Sequence, residues 1–244
     1  MFFTSFGKYL LLLKSVFKKP EKASIYWKEI MHEMNSIGVG SLGLIAIIST
    51  FIGAVMTMQI AFQLVSDLIP NSIIGQINRD SSILELSPTI SALVLAGKVG
   101  SSISSQIGSM RVTEQIDALE IMGINAPGYL ILPKILAGIT MVPVLVILSI
   151  FLALSGGLIG GALSGAVTPA DYIMGITGDF NGYTVAVALV KAFVFGFVIT
   201  SVAAYHGFYV KGGALEVGQA STKSVVVSCI MILATDYVIT ALML

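Results

Sequence analysis

Charged side chains are scarce in this chain of 244 residues, because only 11% are Asp, Glu, Lys or Arg and 56% are hydrophobic. Soluble domains carry about 25% charged residues, so the composition argues against a soluble enzyme and against a disordered chain. The 13 basic residues balance the 13 acidic ones, which leaves no net positive field to attract a nucleic acid. A mean hydropathy of +0.95 instead predicts a polytopic membrane protein.

Groups that carry catalysis or bind metals are also few. The single cysteine, Cys229, excludes a disulfide framework and a multi-cysteine metal site. The two histidines, His32 and His206, lie far apart in the sequence and lack the spacing of metal ligands. The chain has no P-loop motif G-x-x-x-x-G-K-S/T. We therefore expect no metal, no cofactor and no catalytic residue in this chain.

Five apolar stretches are long enough to cross a bilayer, which takes about 20 residues. They cover residues 37–65, 86–108, 135–165, 183–208 and 225–244. Ahead of them, residues 1–36 place apolar side chains at helical spacing beside lysines, which predicts an amphipathic elbow segment in the membrane interface. The predicted fold class is an all-α membrane protein, in which an interfacial helix precedes a five-span membrane domain, 37–244.

Lysine and arginine are distributed unevenly among the predicted loops. With the N-terminus inside, the three inner segments hold ten of these residues, whereas the two outer segments hold only Arg79. Because positive charge marks the cytoplasmic loops of membrane proteins, we expect a cytoplasmic N-terminus and a C-terminus on the outer, periplasmic side.

The most polar run after the N-terminus is residues 110–123, between the second and third predicted spans. Apolar residues recur there at helical spacing and the acidic residues fall on another face. Gly123 is a natural helix stop. Such a short cytosolic helix either docks into a groove of a partner or simply connects two spans, and the pattern alone leaves both readings open.

Three ionisable residues fall within the predicted spans, where charge is costly. Lys191 and Asp236 lie at equal depth from the outer ends of their spans, which predicts an ion pair between them. Lys98 has no partner at its level, and the alternatives for it are an anionic head group, a backbone carbonyl or snorkelling. It precedes a row of small residues, which form either a helix-packing ridge, a dimer seam or a cavity wall.

Two long segments carry a family resemblance. Residues 85–102, ELSPTISALVLAGKVGSS, and 107–123, IGSMRVTEQIDALEIMG, resemble the ELGP–AGR-x-GS and G-x-MR-x-TEQ-x-x-x-x-E-x-M runs of the MlaE/YrbE permease family. Residues 217–226 and 236–242 are similar to that family's G-x-x-x-A-T-x-x-V-V and D-F/Y-x-L-T-A-L runs. The family often has arginine at the position of Lys98. Lysine keeps the positive charge but lacks the planar guanidinium group with which arginine binds a phosphate through two hydrogen bonds.

The resemblance implies the membrane subunit of an ABC-type lipid transporter that works with an MCE-domain protein. It implies a multi-pass homodimer in the inner membrane, flanked by cytosolic ATPase subunits that hold ATP and Mg²⁺, with a small STAS-type cytosolic subunit as a further partner. The complex would move phospholipid between the inner and outer membranes and contribute to outer-membrane lipid asymmetry. Residues 37–244 would form the MlaE-type permease domain.

The resemblance also implies roles for particular residues. The coupling helix inserted into the ATPase would carry Arg111, Thr113, Glu114, Gln115, Asp117, Glu120 and Gly123. Lipid-binding or cavity residues would be Glu85, Lys98, Gly100, Ser101 and Ser105. The competing hypotheses are a stand-alone channel or carrier, which needs no ATPase, and a membrane scaffold, which transfers no lipid.

Overall fold

The computed structural model describes residues 2–16, 23–64 and 70–244, and throughout these ranges every regular element is helical. The described residues contain five helices long and apolar enough to cross a membrane. These are Tyr26–Gln63, Ser72–Val112, Ala126–Ser164, Gly182–Phe208 and Ala214–Met243. The predicted all-α membrane fold with an additional N-terminal helix is confirmed.

Eleven α-helices follow one another along the described residues. In chain order they are α1 (Phe2–Val16), α2 (Ala23–Met34), α3 (Gly40–Gln63), α4 (Ser72–Ser81), α5 (Ser91–Leu95), α6 (Ser101–Val112), α7 (Gln115–Ile121), α8 (Ala126–Ser164), α9 (Pro169–Thr177), α10 (Gly182–Phe208) and α11 (Ala214–Met243). The spanning helices begin ahead of the predicted apolar stretches, and Ser72–Val112 also ends beyond its stretch, because a helical backbone continues past the point where side chains become polar.

Three π-helical turns join α-helices end to end. They are Asn35–Val39 between α2 and α3, Ser82–Ile90 between α4 and α5, and Ala96–Gly100 between α5 and α6. Pro88 lies inside the second of these turns. Its ring nitrogen cannot donate a helical hydrogen bond, and a wider turn accommodates that loss. π-turns of this kind occur frequently at functional sites.

The chain divides into two compact units, of which unit 1 comprises Met1–Gly40, Ala92–Val142 and Phe193–Thr235. Its buried core includes Leu95 and Phe195. The N-terminal helix is anchored within this unit, since the Tyr9 hydroxyl lies 2.8 Å from Ser201 Oγ and Asn125 Nδ2 donates to the Ser15 carbonyl at 2.9 Å. Burial raises the pKa of the Tyr9 phenol above its usual value.

Unit 2 comprises Ser41–Ser91, Pro143–Ala192 and Asp236–Leu244. Glycines let α3 and α8 approach until their backbones touch, as small residues do in membrane helices. A Cβ at Gly53 would collide with the Ala153 backbone, and one at Gly156 would collide with Thr50. These glycines come from both helices, so the close approach depends on the two sequences together.

The two short helices of unit 2, α4 and α9, are fastened by buried polar groups. Asn78 Nδ2 donates to the Tyr172 hydroxyl at 2.6 Å and to Thr57 Oγ1 at 3.1 Å. Burial raises the pKa of the Tyr172 phenol. Arg79, only 3% exposed, pairs with Asp80 at 2.8 Å and donates to carbonyls at the end of α9. The one arginine of the predicted outer loops therefore has a structural role.

We predict that Gly53→Ala destabilises the protein by about 1–3 kcal/mol, because the added methyl group would meet the Ala153 carbonyl. Gly43 lies on the same helix, and a Cβ there meets nothing within 4 Å, so Gly43→Ala is the matched control. Thermal unfolding of the purified variants in detergent measures the difference. Equal melting temperatures for the two variants would contradict the close packing of α3 on α8.

Candidate functional site

A lysine without solvent exposure is held by two carboxyl groups in unit 2. Lys191 Nζ lies 2.7 Å from Glu85 Oε1 and 2.8 Å from Asp236 Oδ1, and it donates to the Leu84 carbonyl at 3.0 Å. The Lys191 side chain is 0% exposed, whereas Glu85 is 44% exposed. The structure thus brings together the two residues expected to pair, and it adds Glu85 to them.

Two threonines extend this cluster with hydroxyl donors. Thr89 Oγ1 donates to Asp236 Oδ2 at 3.2 Å, and Thr240 Oγ1 donates to Glu85 Oε1 at 3.2 Å. Each carboxyl group therefore accepts a hydrogen bond from a threonine hydroxyl, and additional hydrogen bonds of this kind stabilise a buried ion pair. Since Glu85 lies in the π-turn Ser82–Ile90 and Asp236 lies on α11, neighbouring elements supply the two carboxyl groups.

From the sequence, Glu85, which directly precedes the predicted stretch 86–108, was expected to be a lipid-binding or cavity residue and was not linked to Lys191. The two residues are 106 positions apart. No periodicity along one helix reveals such a contact, because it depends on which helices become neighbours. The one signal in the sequence is that an acidic residue at the end of a membrane span needs a cation nearby, because an unpaired charge at membrane depth costs free energy.

Lys98 lies at the edge of an open cavity of about 310 Å³ within unit 1. Its ammonium donates to the Gly40 carbonyl, so the backbone-carbonyl alternative describes its protein contact. Ser102 and Gln106, the next residues on the same helical face, line the cavity as well. We call this space the α2–α6 cavity, after the helices that form its walls.

The other residues expected beside Lys98 are placed differently. Gly100 is buried, with Ile199 and Ala203 in van der Waals range of an added Cβ. Ser101 Oγ donates to the Gly97 carbonyl at 2.5 Å, and the Ser101 carbonyl accepts a hydrogen bond from Ser221 Oγ at 3.2 Å. Their contacts are those of helix packing.

Ser105, the last of that predicted set, is partly buried on α6. The residues that line the α2–α6 cavity include none of Gly100, Ser101 and Ser105. Of the predicted lipid-binding residues, all of which the structure describes, Lys98 is the one that lines this cavity.

A second buried ion pair lies beside the α2–α6 cavity and was not expected from the sequence. Lys134 Nζ bonds the Glu33 carboxylate and donates to Gln106 Oε1 at 2.6 Å. The side chains of Lys134 and Glu33 are 5% and 7% exposed. The pair ties α2 to α8, so the beginning of the first spanning helix, Tyr26–Gln63, is fixed within unit 1 by charge as well as by packing.

The predicted cytosolic helix over residues 110–123 is broken in two. α6 continues to Val112, and α7 begins only at Gln115. Glu114 between them adopts a left-handed conformation with φ 60°, which L-residues rarely adopt and which ends a helix. Gly123, with φ 79°, terminates the segment as expected.

The segment from Thr113 to Gly123 is anchored on one side and exposed on the other. Arg111 Nη1 lies 2.7 Å from Asp117 Oδ1, and Ile116 is fully buried. Ile121 is 87% exposed and Met122 is 66% exposed. Met122 directly follows the last residue of α7. Of the predicted coupling residues, Thr113, Glu114, Gln115 and Glu120 have exposed side chains.

Comparison with known proteins identifies the family. The family model described as Permease MlaE matches residues 30–242. The chain belongs to the MlaE permease family. The match includes α7, the Lys191 cluster and the α2–α6 cavity, so every site described above lies within the MlaE permease region.

Relatives of this MlaE-family permease carry transporter names. It is 34% identical over 238 residues to a probable ABC transporter permease protein of Rickettsia bellii, covering 98% of this chain and 92% of the relative. It is 29% identical over 244 residues to the intermembrane phospholipid transport system permease protein MlaE of Haemophilus influenzae, covering 99% and 93%. It is 30% identical over 220 residues to the chloroplastic protein TRIGALACTOSYLDIACYLGLYCEROL 1 of Arabidopsis thaliana, covering 90% and 63%.

Family membership and the five apolar helices together establish a multi-pass membrane protein of a transporter permease family. The MlaE resemblance of the two long sequence segments is therefore confirmed. The family supplies no direct assignment of the individual site residues, whose roles follow only from their geometry.

We predict that Lys191→Met destabilises this MlaE-family permease by about 3–5 kcal/mol, because breaking a buried pair leaves the opposite carboxyl groups without their cation. Lys211, which is exposed, provides the matched control, and Lys211→Met should leave stability within about 0.5 kcal/mol of the original. Denaturant unfolding in detergent measures both variants.

The double variant Lys191→Met with Asp236→Asn tests the pairing directly. Because the two side chains share one interaction, its loss of stability should be smaller than the sum of the two single losses by about 0.5–3 kcal/mol. Strict additivity would show that the 2.8 Å contact between Lys191 and Asp236 contributes nothing.

Proposed function

We propose that this chain is the permease subunit of an ABC transporter that moves phospholipid between the inner and outer membranes and so contributes to outer-membrane lipid asymmetry. The family match over residues 30–242 carries the proposal. The relative from Haemophilus influenzae, named as an intermembrane phospholipid transport permease, supports the choice of cargo. In this proposal the chain lies in the inner membrane, with a cytoplasmic N-terminus and a periplasmic C-terminus.

The proposed assembly contains two copies of the chain. α11 supports a second copy: only 11% of its most apolar stretch is buried, against 61% for α10. Large apolar side chains such as Val226, Ile230 and Leu233 are more than half exposed on it. The regularly spaced serines of this helix, Ser221, Ser224 and Ser228, are buried within the chain, so the exposed apolar residues form the face left free for a partner. A homodimer would cover part of this face.

Energy enters the proposed assembly through partner chains. Cytosolic ATPase subunits would hold ATP and Mg²⁺, an MCE-domain protein would lie on the periplasmic side, and a small STAS-type protein would join on the cytosolic side. The relatives named as ABC transporter permeases support the ATPase part of this arrangement.

The segment Thr113–Gly123 is the part of the chain suited to receive ATPase movement. Its exposed apolar tip, Ile121 and Met122, directly follows the exposed Glu120, and the exposed Glu114 precedes the first residue of α7. Protein–protein interfaces typically have an apolar centre surrounded by a polar or charged rim, and this segment has that pattern. Since Asp117 is salt-bridged to Arg111, a force on α7 would be transmitted to the end of α6.

A phospholipid needs an apolar surface for its tails and a polar one for its head. The helix Ser72–Val112 supports this cargo, because its central part carries Glu85 and Lys98 among apolar residues. Because α6 belongs to this helix, its movement would also move the residues proposed to contact the polar head of the lipid. Closing the ATPases would narrow the space between the two copies and drive lipid toward the periplasmic partner.

Reconstitution tests the proposed function. The complex of this chain with its ATPase and MCE partners is placed in donor vesicles, and transfer of a fluorescent phospholipid to acceptor vesicles is followed with ATP or a non-hydrolysable analogue. We expect transfer that requires ATP hydrolysis. Flux through the chain alone would favour a channel or carrier, and a stable complex without any transfer would favour a scaffold.

We predict that reversing both Glu114 and Glu120 to Lys lowers ATP-driven lipid transfer by about tenfold or more, since like charges facing a partner cost several kcal/mol. Glu29→Lys, a charge reversal on α2, is the control and should retain transfer. ATPase co-purification is measured in parallel. Unchanged transfer in the double reversal would remove α7 from the coupling path.

A further inference from the structure

The α2–α6 cavity has polar walls although its helices belong to apolar spanning elements. His32 and Ser36 are four residues apart on one wall, and Lys98, Ser102 and Gln106 follow at the same interval on the other. All five are exposed. Polar stripes of this kind are costly against lipid tails. Water or a polar ligand must therefore occupy the space between them.

The cavity carries uncompensated positive charge. Its one lining carboxylate, Glu33, is already paired with Lys134. Lys98 forms no ion pair with any carboxylate in the described part of the chain, and its hydrogen bond goes to the neutral Gly40 carbonyl. Because an ammonium has three N–H donors, two remain for a ligand. The charge balance favours an anion.

Further donors surround the Lys98 ammonium. The hydroxyl groups of Ser36 and Ser102 form no hydrogen bond with another described residue, and Gln106 accepts from Lys134 through its oxygen, which leaves its NH₂ group to donate. Hydroxyl, amide and ammonium donors around one space suit the non-bridging oxygens of a phosphate ester.

The size of the cavity and its surroundings indicate which phosphate ester it takes. A volume of about 310 Å³ is at the lower end of ligand pockets, which span roughly 300–1,000 Å³, so it holds a head group and no acyl chains. Val39, adjacent to the Gly40 carbonyl that Lys98 contacts, is 62% exposed. An apolar surface beside an anion site matches a molecule with a phosphate head and apolar tails.

We infer that the α2–α6 cavity binds the phosphodiester head group of a phospholipid, with Lys98 as its charged contact and Ser36, Ser102 and Gln106 as neutral donors. The lining of the cavity by α2 makes the beginning of the first spanning helix, Tyr26–Gln63, part of the lipid site. The role of this bound lipid as cargo rests on the proposed function, whereas the binding itself does not.

The test uses the full chain in nonionic detergent and a phosphatidylglycerol with a photoreactive group on its head. After irradiation, peptide mass spectrometry locates the labelled residues. We expect labels on residues 32–36 and 98–106. Lys98→Met should lower labelling by about tenfold, since a charge-assisted hydrogen bond is lost, whereas Lys98→Arg should retain it.

Ser102→Leu is a second variant that acts by steric blocking, because the larger side chain fills the cavity while the Lys98 charge is kept. It should lower labelling as Lys98→Met does, and Lys211→Met should not. Thermal unfolding shows that each variant is folded, and should Lys98→Met fail to fold, Ser102→Leu decides the outcome. Wild-type labelling in folded Ser102→Leu, or labels confined to other helices, overturns the proposal.

Two further experiments make two distinctions. The first distinguishes a lipid head group from free phosphate as the ligand, and the second distinguishes failure of the head-group site from failure of the proposed transport function. Inorganic phosphate that displaces the photoreactive lipid would make the cavity a free-phosphate site and overturn the head-group assignment; failure to displace supports it. In the reconstituted complex, normal transfer by a Lys98→Met variant that no longer binds the lipid would overturn its role as cargo. Labelling in the cavity without any wild-type transfer would instead leave the head-group site intact and refute the proposed function.

Discussion

Pairing of lysine ammonium groups inside apolar helices is the constraint on which the structure depends. An unpaired charge in such surroundings costs several kcal/mol. In unit 2, Lys191 draws the π-turn Ser82–Ile90 and α11 to α10 through Glu85 and Asp236. In unit 1, Lys134 draws α2 to α8 through Glu33. Hydrophobic contacts hold helices together at many alternative registers, and these ion pairs select one.

Irregular helical turns accompany the polar groups. Glu85 lies in one π-turn and Lys98 in another, and the Gly40 carbonyl that Lys98 contacts directly follows the third. π-turns occur frequently at functional sites. Here they coincide with Glu85 of the Lys191 cluster and with Lys98 of the α2–α6 cavity.

Helix Ser72–Val112 connects the segment Thr113–Gly123 to the α2–α6 cavity. α7 is fixed to the end of α6 by the Arg111–Asp117 salt bridge, and the cavity residues Ser102 and Gln106 are on α6 itself. The Gln106 oxygen also accepts from Lys134. A displacement of α6 would change the donors that a head group meets, which would connect the proposed energy input on α7 to the proposed lipid site in the cavity.

The sequence by itself determined the membrane class, the five spanning helices and the family, because apolar length and motif spacing are local properties. It also predicted the pairing of Lys191 with Asp236, since depth can be counted along each span. Tertiary structure alone decided that Glu85 joins them, that Glu33 meets Lys134, and that His32 and Ser36 face Lys98. Those contacts join residues far apart in sequence, so they depend on which helices become neighbours. The break at Glu114 also required the structure, because helical periodicity continues across it while the backbone turns.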